Sequence, residues 1–191
     1  MNSFLSYFNF GWDHIVDINA IDHLLFVMTL CAAFKLKQWK QVLVIITAFT
    51  IGHSVTLVIS ALELIPEIGS IVEKLILFTI MITAVSNIVL YEKEGRYSNK
   101  SVKYILAMVF GLIHGLAFAS NFKGMMFNSS IVKPLFAFNV GIEVGQLVVV
   151  TMFMGVLFLY SKVLKGSHMK WNVFISGAGF GIAAKLFLDA L

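Results

Sequence analysis

The sequence predicts an all-α polytopic membrane protein, a bundle of about six transmembrane helices, on three observations. Of the 191 residues, 59% are apolar and 13% charged, where soluble domains run at about 45–50% and about 25%. Mean hydropathy is +0.91. The apolar residues gather into six runs near the ~20 residues that a helix needs to cross a bilayer. The length suits a single membrane domain over residues 1–191.

The first run covers 12–34 and ends before Lys35-Leu36-Lys37. Its N-terminal half is polar, so a short interfacial helix over 3–17 followed by a span from residue 20 is the alternative. Residues 1–10 have no Lys or Arg and lack the basic start of a signal peptide. The second run covers 41–62, the third 71–91, the fourth 102–121, the fifth 134–160 and the sixth 171–190. No low-complexity segment and no convincing internal repeat is visible.

The formal net charge is +4. The basic residues sit in short connections and form no stripe, which argues against nucleic acid as a partner. Their placement reports orientation instead. Ten of the 14 lie in alternate loops: Lys35, Lys37 and Lys40; Lys93, Arg96, Lys100 and Lys103; Lys162, Lys165 and Lys170. Basic loops stay cytoplasmic, so both termini are expected outside the cytoplasm, with the Glu63, Glu67 and Glu73 loop facing outward. Cys31 is the single cysteine, which excludes an intramolecular disulfide and a multi-thiolate metal site.

Ionisable residues inside a membrane are costly and mark function. Counting from the outer ends of the spans at about 1.5 Å per residue, Asp22, His23, His53, His114 and Glu143 reach one depth in the outer half of the bilayer. They come from four different spans. Other polar residues share faces with them: Thr50, Ser54 and Thr56 on the second span, Asn139 and Gln146 on the fifth. Thr79, Thr83 and Asn87 step by four along the third. Ala107, Gly111, Gly115 and Ala119, and separately Gly141 and Gly145, make small-residue ridges that let helices approach closely and could also support a homo-oligomer.

Imidazole and carboxylate together suit Ni²⁺, Co²⁺ and Zn²⁺. The nine methionines are irregularly spaced, among them Met108, Met125, Met126, Met152 and Met154, and read as gap-fillers rather than copper ligands. Asp22 beside His23 is a ligand pair, or a ligand with the group that orients it. His14 lies about two and a half turns before His23 on a continuous helix and suits an outer site, with Asp13 or Asp17, where an ion enters. For any single histidine, a hydrogen bond to a neighbouring helix is an equal alternative. Thr50, Ser54 and Thr56 fit bonds to their own backbone better than site lining, and His168 reads as an exposed loop residue. Gly177, Gly179 and Gly181 lack the strand-and-loop context of a nucleotide motif.

Five segments in order carry a family resemblance: Gly-Trp-Asp-His (11–14), Ile-Asp-His-Leu-Leu-Phe (21–26), Phe-Thr-Ile-Gly-His-Ser-Val-Thr-Leu (49–57), Gly-Leu-Ile-His-Gly-Leu-Ala-Phe-Ala-Ser (111–120) and Phe-Asn-Val-Gly-Ile-Glu-Val-Gly-Gln-Leu (138–147). The chain resembles HupE/UreJ-type membrane proteins, regarded as hydrogenase or urease accessory proteins and nickel or cobalt permeases. More distantly, the Asp-His and Gly-His-Ser segments are similar to motifs of nickel/cobalt transporters. The resemblance implies metal binding at Asp22, His23 and His53, and more weakly at His14, His114 and Glu143.

The leading expectation is a multi-pass permease of the bacterial inner membrane for Ni²⁺ or Co²⁺, a transporter rather than an enzyme. The lipid bilayer and the metal ion are its partners. One alternative is an intramembrane hydrolase acting on a lipid or lipoprotein, with Zn²⁺ held by histidines and Asp22 and with Glu143 as general base. Another is a non-catalytic assembly partner with a structural polar cluster.

Overall fold

A computed structural model describes residues 3–17, 21–64, 69–91, 100–125 and 131–191. Seven helices appear among them: α1 (Ser3–Val16), α2 (Ile21–Ala32), α3 (Trp39–Ala61), α4 (Gly69–Val89), α5 (Lys100–Met125), α6 (Val132–Phe158) and α7 (His168–Asp189). The predicted residues Glu67, Lys93, Arg96 and Met126 lie outside the described set.

Four helical stretches are long and apolar enough to cross a membrane: Leu36–Ala61, Ile71–Val89, Val132–Val163 and His168–Asp189. The predicted fourth span is α5, whose apolar part is the shorter Lys103–Ala119. The predicted first span, 12–34, is not one continuous rod. It is the pair α1 and α2, bent by 66°, as in the alternative with a separate first helix. At about 1.5 Å per residue, α2 alone reaches only about 18 Å, well short of a bilayer's ~30 Å.

The exterior is apolar, as lipid requires. Val44, Ile51 and Val55 project from α3, Leu75, Phe78 and Ile82 from α4, and Phe174 from α7. Polar side chains turn inward: His23, Thr50, His53, His114, Gln146, Asn172 and Ser176 are all buried. Lipid tails are as apolar as leucine, so helices associate through close packing and interhelical hydrogen bonds.

Both devices are present. The small ridge of α5 packs on α3 within the chain: a Cβ on Gly52 would overlap the Met108 carbonyl oxygen, and one on Gly111 the Phe49 carbonyl oxygen. The α6 ridge packs on α1 in the same manner, Gly11 against the Phe138 carbonyl and Gly141 against the Phe8 carbonyl. Side chains join α4 to α2 and α7 to α4. Asn87 Nδ2 donates to the Thr29 carbonyl at 2.7 Å, and Asn172 Nδ2 donates to the Asn87 carbonyl at 2.7 Å.

The ends of the helices carry the charge pattern. His168 lies 3.0 Å from the Phe34 carbonyl through Nε2 and 3.2 Å from the Tyr91 hydroxyl through Nδ1. Lys103 Nζ stands 5.2 Å above the Phe34 ring. The ends of α2 and α4 and the starts of α5 and α7 therefore meet at one end of the bundle, which carries Lys103. His168, expected as a merely exposed loop residue, is half-buried and ties this basic end together.

Candidate metal centre

Four histidines converge in the bundle interior. His14 comes from the last turn of α1, His23 from the first turn of α2, His53 from the middle of α3 and His114 from the middle of α5. The His14 and His23 rings are 4.3 Å apart, His14 and His53 5.6 Å, and His23 and His114 5.4 Å. On a continuous helix the nine residues from His14 to His23 would span about 13 Å. The break between α1 and α2 folds the two rings together, so His14 joins the buried cluster rather than the outer site expected for it.

One ring nitrogen from each of His14, His23 and His53 lies within 4.8 Å of the others. A tetrahedral ion with bonds of about 2.0–2.1 Å needs donors about 3.3 Å apart, so a shift of about an ångström per ring would close the site.

Hydrogen bonds leave one nitrogen of His23 and one of His114 free to face the cluster. His23 Nδ1 lies 3.1 Å from the Asp22 carboxylate, which leaves Nε2 to face the cluster. His114 Nδ1 lies 2.8 Å from the Phe110 carbonyl oxygen, which likewise leaves Nε2. A carbonyl only accepts, so Nδ1 carries that proton and Nε2 presents a lone pair. His14 Nε2, His23 Nε2, both nitrogens of His53 and His114 Nε2 are buried without a hydrogen-bond partner. Buried polar atoms are nearly always paired, so five orphaned nitrogens in one place fit a ligand. α1 ends just past His14, and the negative end of a helix favours a cation.

The remaining predicted residues are arranged around this cluster. Asp22 is an orienter of His23 by geometry, accepting from the His23 backbone N–H at 2.9 Å as well. Glu143 accepts a 2.6 Å hydrogen bond from Thr47 at the seam of α3 and α6. Thr50 donates to Gln146 Oε1 at 2.9 Å on the same seam, and Gln146 Nε2 is buried without a partner. Ser54 donates to the Thr50 carbonyl at 2.6 Å, and Thr56 to the Leu112 carbonyl at 2.9 Å and the Gly52 carbonyl at 3.3 Å. Asn139 Oδ1 is buried without a partner. Asp13 and Asp17 are exposed.

Aromatic rings pack around the histidines, a feature absent from the sequence reading. Phe26 and Phe49 lie 4.9 Å and 5.0 Å from His114, and Phe118 lies 4.0 Å from His14. The sign that was available is a phenylalanine within four residues of each of His53 and His114, at Phe49, Phe110 and Phe118.

A family model described as HupE / UreJ protein matches residues 1–189. No curated protein and no solved structure matches the chain.

Proposed function

The chain belongs to the HupE/UreJ family of metal-related accessory membrane proteins, and we propose that it is a permease of the bacterial inner membrane whose cargo is a divalent transition metal, Ni²⁺ or Co²⁺. The observation that supports this reading is the set of five buried ring nitrogens without partners on four converging histidines. Neutral imidazoles suit these borderline ions, and an all-nitrogen set with no cysteine or methionine disfavours Cu(I). His14, His23 and His53 hold the cargo and His114 completes the set. Asp22 and the Phe110 carbonyl fix the tautomers of His23 and His114.

Asp13 and Asp17 supply negative charge where the ion enters. Thr50, Gln146 and Asn139 offer oxygen contacts along α3 and α6. Glu143, held by Thr47, is the carboxylate that exchanges a proton as the cargo moves. A hydrolase would need that carboxylate beside the metal-bound water. Its hydrogen bond to Thr47 favours the permease.

The test is titration of the purified protein with Co²⁺ and Ni²⁺, followed by uptake into vesicles. Saturable binding is expected, lost in His53→Ala and in His23→Ala, with uptake lost in parallel. Unchanged binding in both variants would sink the site. Near-stoichiometric Zn²⁺ that resists a chelator would turn the reading to the hydrolase.

A further inference from the structure

The two glycine-locked helix pairs obey one rule. In α3 and α5, each glycine faces the carbonyl of the residue three positions before its partner's glycine: Gly52 faces Met108 and Gly111 faces Phe49. In α1 and α6 the rule repeats: Gly11 faces Phe138 and Gly141 faces Phe8. Within each pair the helices run in the same direction. Phe4 meets Phe136 (6.4 Å) and, further along, Gly145 meets Ile15; Gly52 meets Met108 and, further along, Gly115 meets Thr56.

The two pairs run in opposite directions. Leu57 clusters with Phe138 and Ile142, whereas Val42, Ile45 and Ile46 cluster with Val150, Phe153 and Leu157. Matching α1, α3 and α4 in order with α5, α6 and α7 superimposes one pair on the other. Gly11 and His14 then correspond to Gly111 and His114, and Phe49-x-x-Gly52 to Phe138-x-x-Gly141. Helix α2, the second part of the first span, has no counterpart. The third matched pair, α4 and α7, pack antiparallel on each other, with Val72 and Ala183 in one cluster at one end and Asn87 on Asn172 at the other. A two-fold axis in the membrane plane requires that.

Around the two phenylalanines the surroundings are alike in part. The Phe49 and Phe138 rings both lie 6.3 Å from His53, whose own counterpart is Ile142, so the two rings flank this histidine from opposite sides of the register. Phe49 lies 5.0 Å from His114, and its counterpart Phe138 lies 5.9 Å from His14. Each is backed by a further ring from outside the exchange, Phe138 by Phe118 at 5.1 Å and Phe49 by Phe26 of the unmatched helix α2 at 4.9 Å. On the Phe49 side, Phe110 also lines a cavity of about 250 Å³ that continues past Thr83 and Asn87 to Tyr91 and Lys103 at the basic end.

We infer that the chain is an inverted repeat of two three-span halves, and that Phe138 and Phe49 are equivalent gates closing the histidine cluster towards the start of α6 and towards the basic end. The inference rests on the permease reading. Inverted repeats place the cargo at the repeat interface and open it to either side by rocking one unit against the other. Here the units are the α1·α6 and α3·α5 pairs, each locked by glycines. With both phenylalanines in place the cluster is occluded: His53 and His114 are buried to 1% and 0% exposure.

The test uses side-specific labelling. A reporter cysteine, Ser54→Cys, is placed beside His53 in a Cys31→Ser chain and reconstituted in one orientation. A membrane-impermeant maleimide is then added to one side at a time. Phe138→Ala is expected to raise the labelling rate roughly tenfold from the Phe136 side alone, and Phe49→Ala to do so from the Lys103 side alone. Phe138→Leu and Phe49→Leu keep most of the apolar volume and should show the same sidedness at smaller amplitude, which carries the test should an alanine variant fail to fold. Any other pattern in folded protein, whether the same side for both or no change in either, overturns the inference. The labelling needs no metal, so loss of cobalt binding in the histidine variants and failure of the gates are separate results.

Discussion

The Asp22 carboxylate reaches His23 twice, accepting from its backbone N–H at 2.9 Å and lying 3.1 Å from its Nδ1. The pair straddles the first turn of α2, so one aspartate fixes both the start of the helix and the direction of the imidazole. Partners of this kind hold the tautomer of a metal-binding histidine and raise its basicity. Asp22→Asn keeps the shape but weakens the acceptor. It is expected to reduce cobalt affinity by about 10–100-fold, measured by titration in detergent, while thermal stability changes little. An affinity equal to the parent's would remove Asp22 from the site.

Metal binding should fail in acid. Histidine binds metal only as neutral imidazole, so protons compete with the cargo. Each proton that a ring takes up removes a lone pair the ion needs, and an imidazolium repels the ion as well. Cobalt absorption bands are expected to be full at neutral pH and lost in strong acid, with return on neutralisation. Bands that persist in acid would point to carboxylate ligands instead.

The helix crossings give a prediction about stability. Methyl groups at Gly52 or Gly111 would collide with the Met108 or Phe49 carbonyl oxygens, and backbone cannot move aside as a side chain can. Gly52→Ala and Gly111→Ala are expected to destabilise by about 1–3 kcal/mol or more, read as lower melting temperatures in detergent. Gly177 and Gly181 have nothing within 4 Å of a Cβ. Gly177→Ala should be neutral, or stabilising by up to about 1 kcal/mol through helix propensity. Equal effects at the two kinds of glycine would contradict the packing.

Much of this architecture was legible in residue types and their spacing, and the parts that were not share a cause. Apolar runs report that the chain is a bundle of apolar helices and roughly where they lie, and lysine placement reports an end that helices share; Phe34, Tyr91, Lys103 and His168 meet at that end. Counting residues along a helix gives depth, so His23, His53 and His114 were recognisable as neighbours in height. It gives no azimuth about the bundle axis and no break. No proline marks the break between α1 and α2, so His14 read as distant from His23 although their rings are 4.3 Å apart. Nor does counting give the direction of a side chain: Glu143, expected with the histidines, reaches Thr47, six residues before His53 on α3. The repeat was hidden for a different reason. Only a few positions, such as Phe10-Gly11-x-x-His14 and Phe110-Gly111-x-x-His114, keep their identity, because a crossing constrains the glycine and lets the lipid-facing residues drift.

A Glu143 variant is expected to separate binding from movement. The Glu143 carboxylate accepts from Thr47 at 2.6 Å, and the nitrogen set that faces the cargo is made of histidines. Thr47 lies on the exposed side of α3, and Glu143 is half-buried, so this carboxylate sits at the edge of the bundle where an unpaired charge in lipid is costly. On the permease reading proposed above, Glu143 carries a proton opposite to the cargo. Glu143→Gln mimics the protonated form and preserves the Thr47 hydrogen bond. Cobalt affinity is expected to stay within about threefold of the parent, since amide and acid are alike in size and outside the nitrogen set. Uptake into vesicles under an imposed proton gradient should fall and lose its dependence on the gradient. If instead the variant loses cobalt binding as completely as His53→Ala, Glu143 is a ligand, and the α3–α6 seam and the histidine cluster are one site.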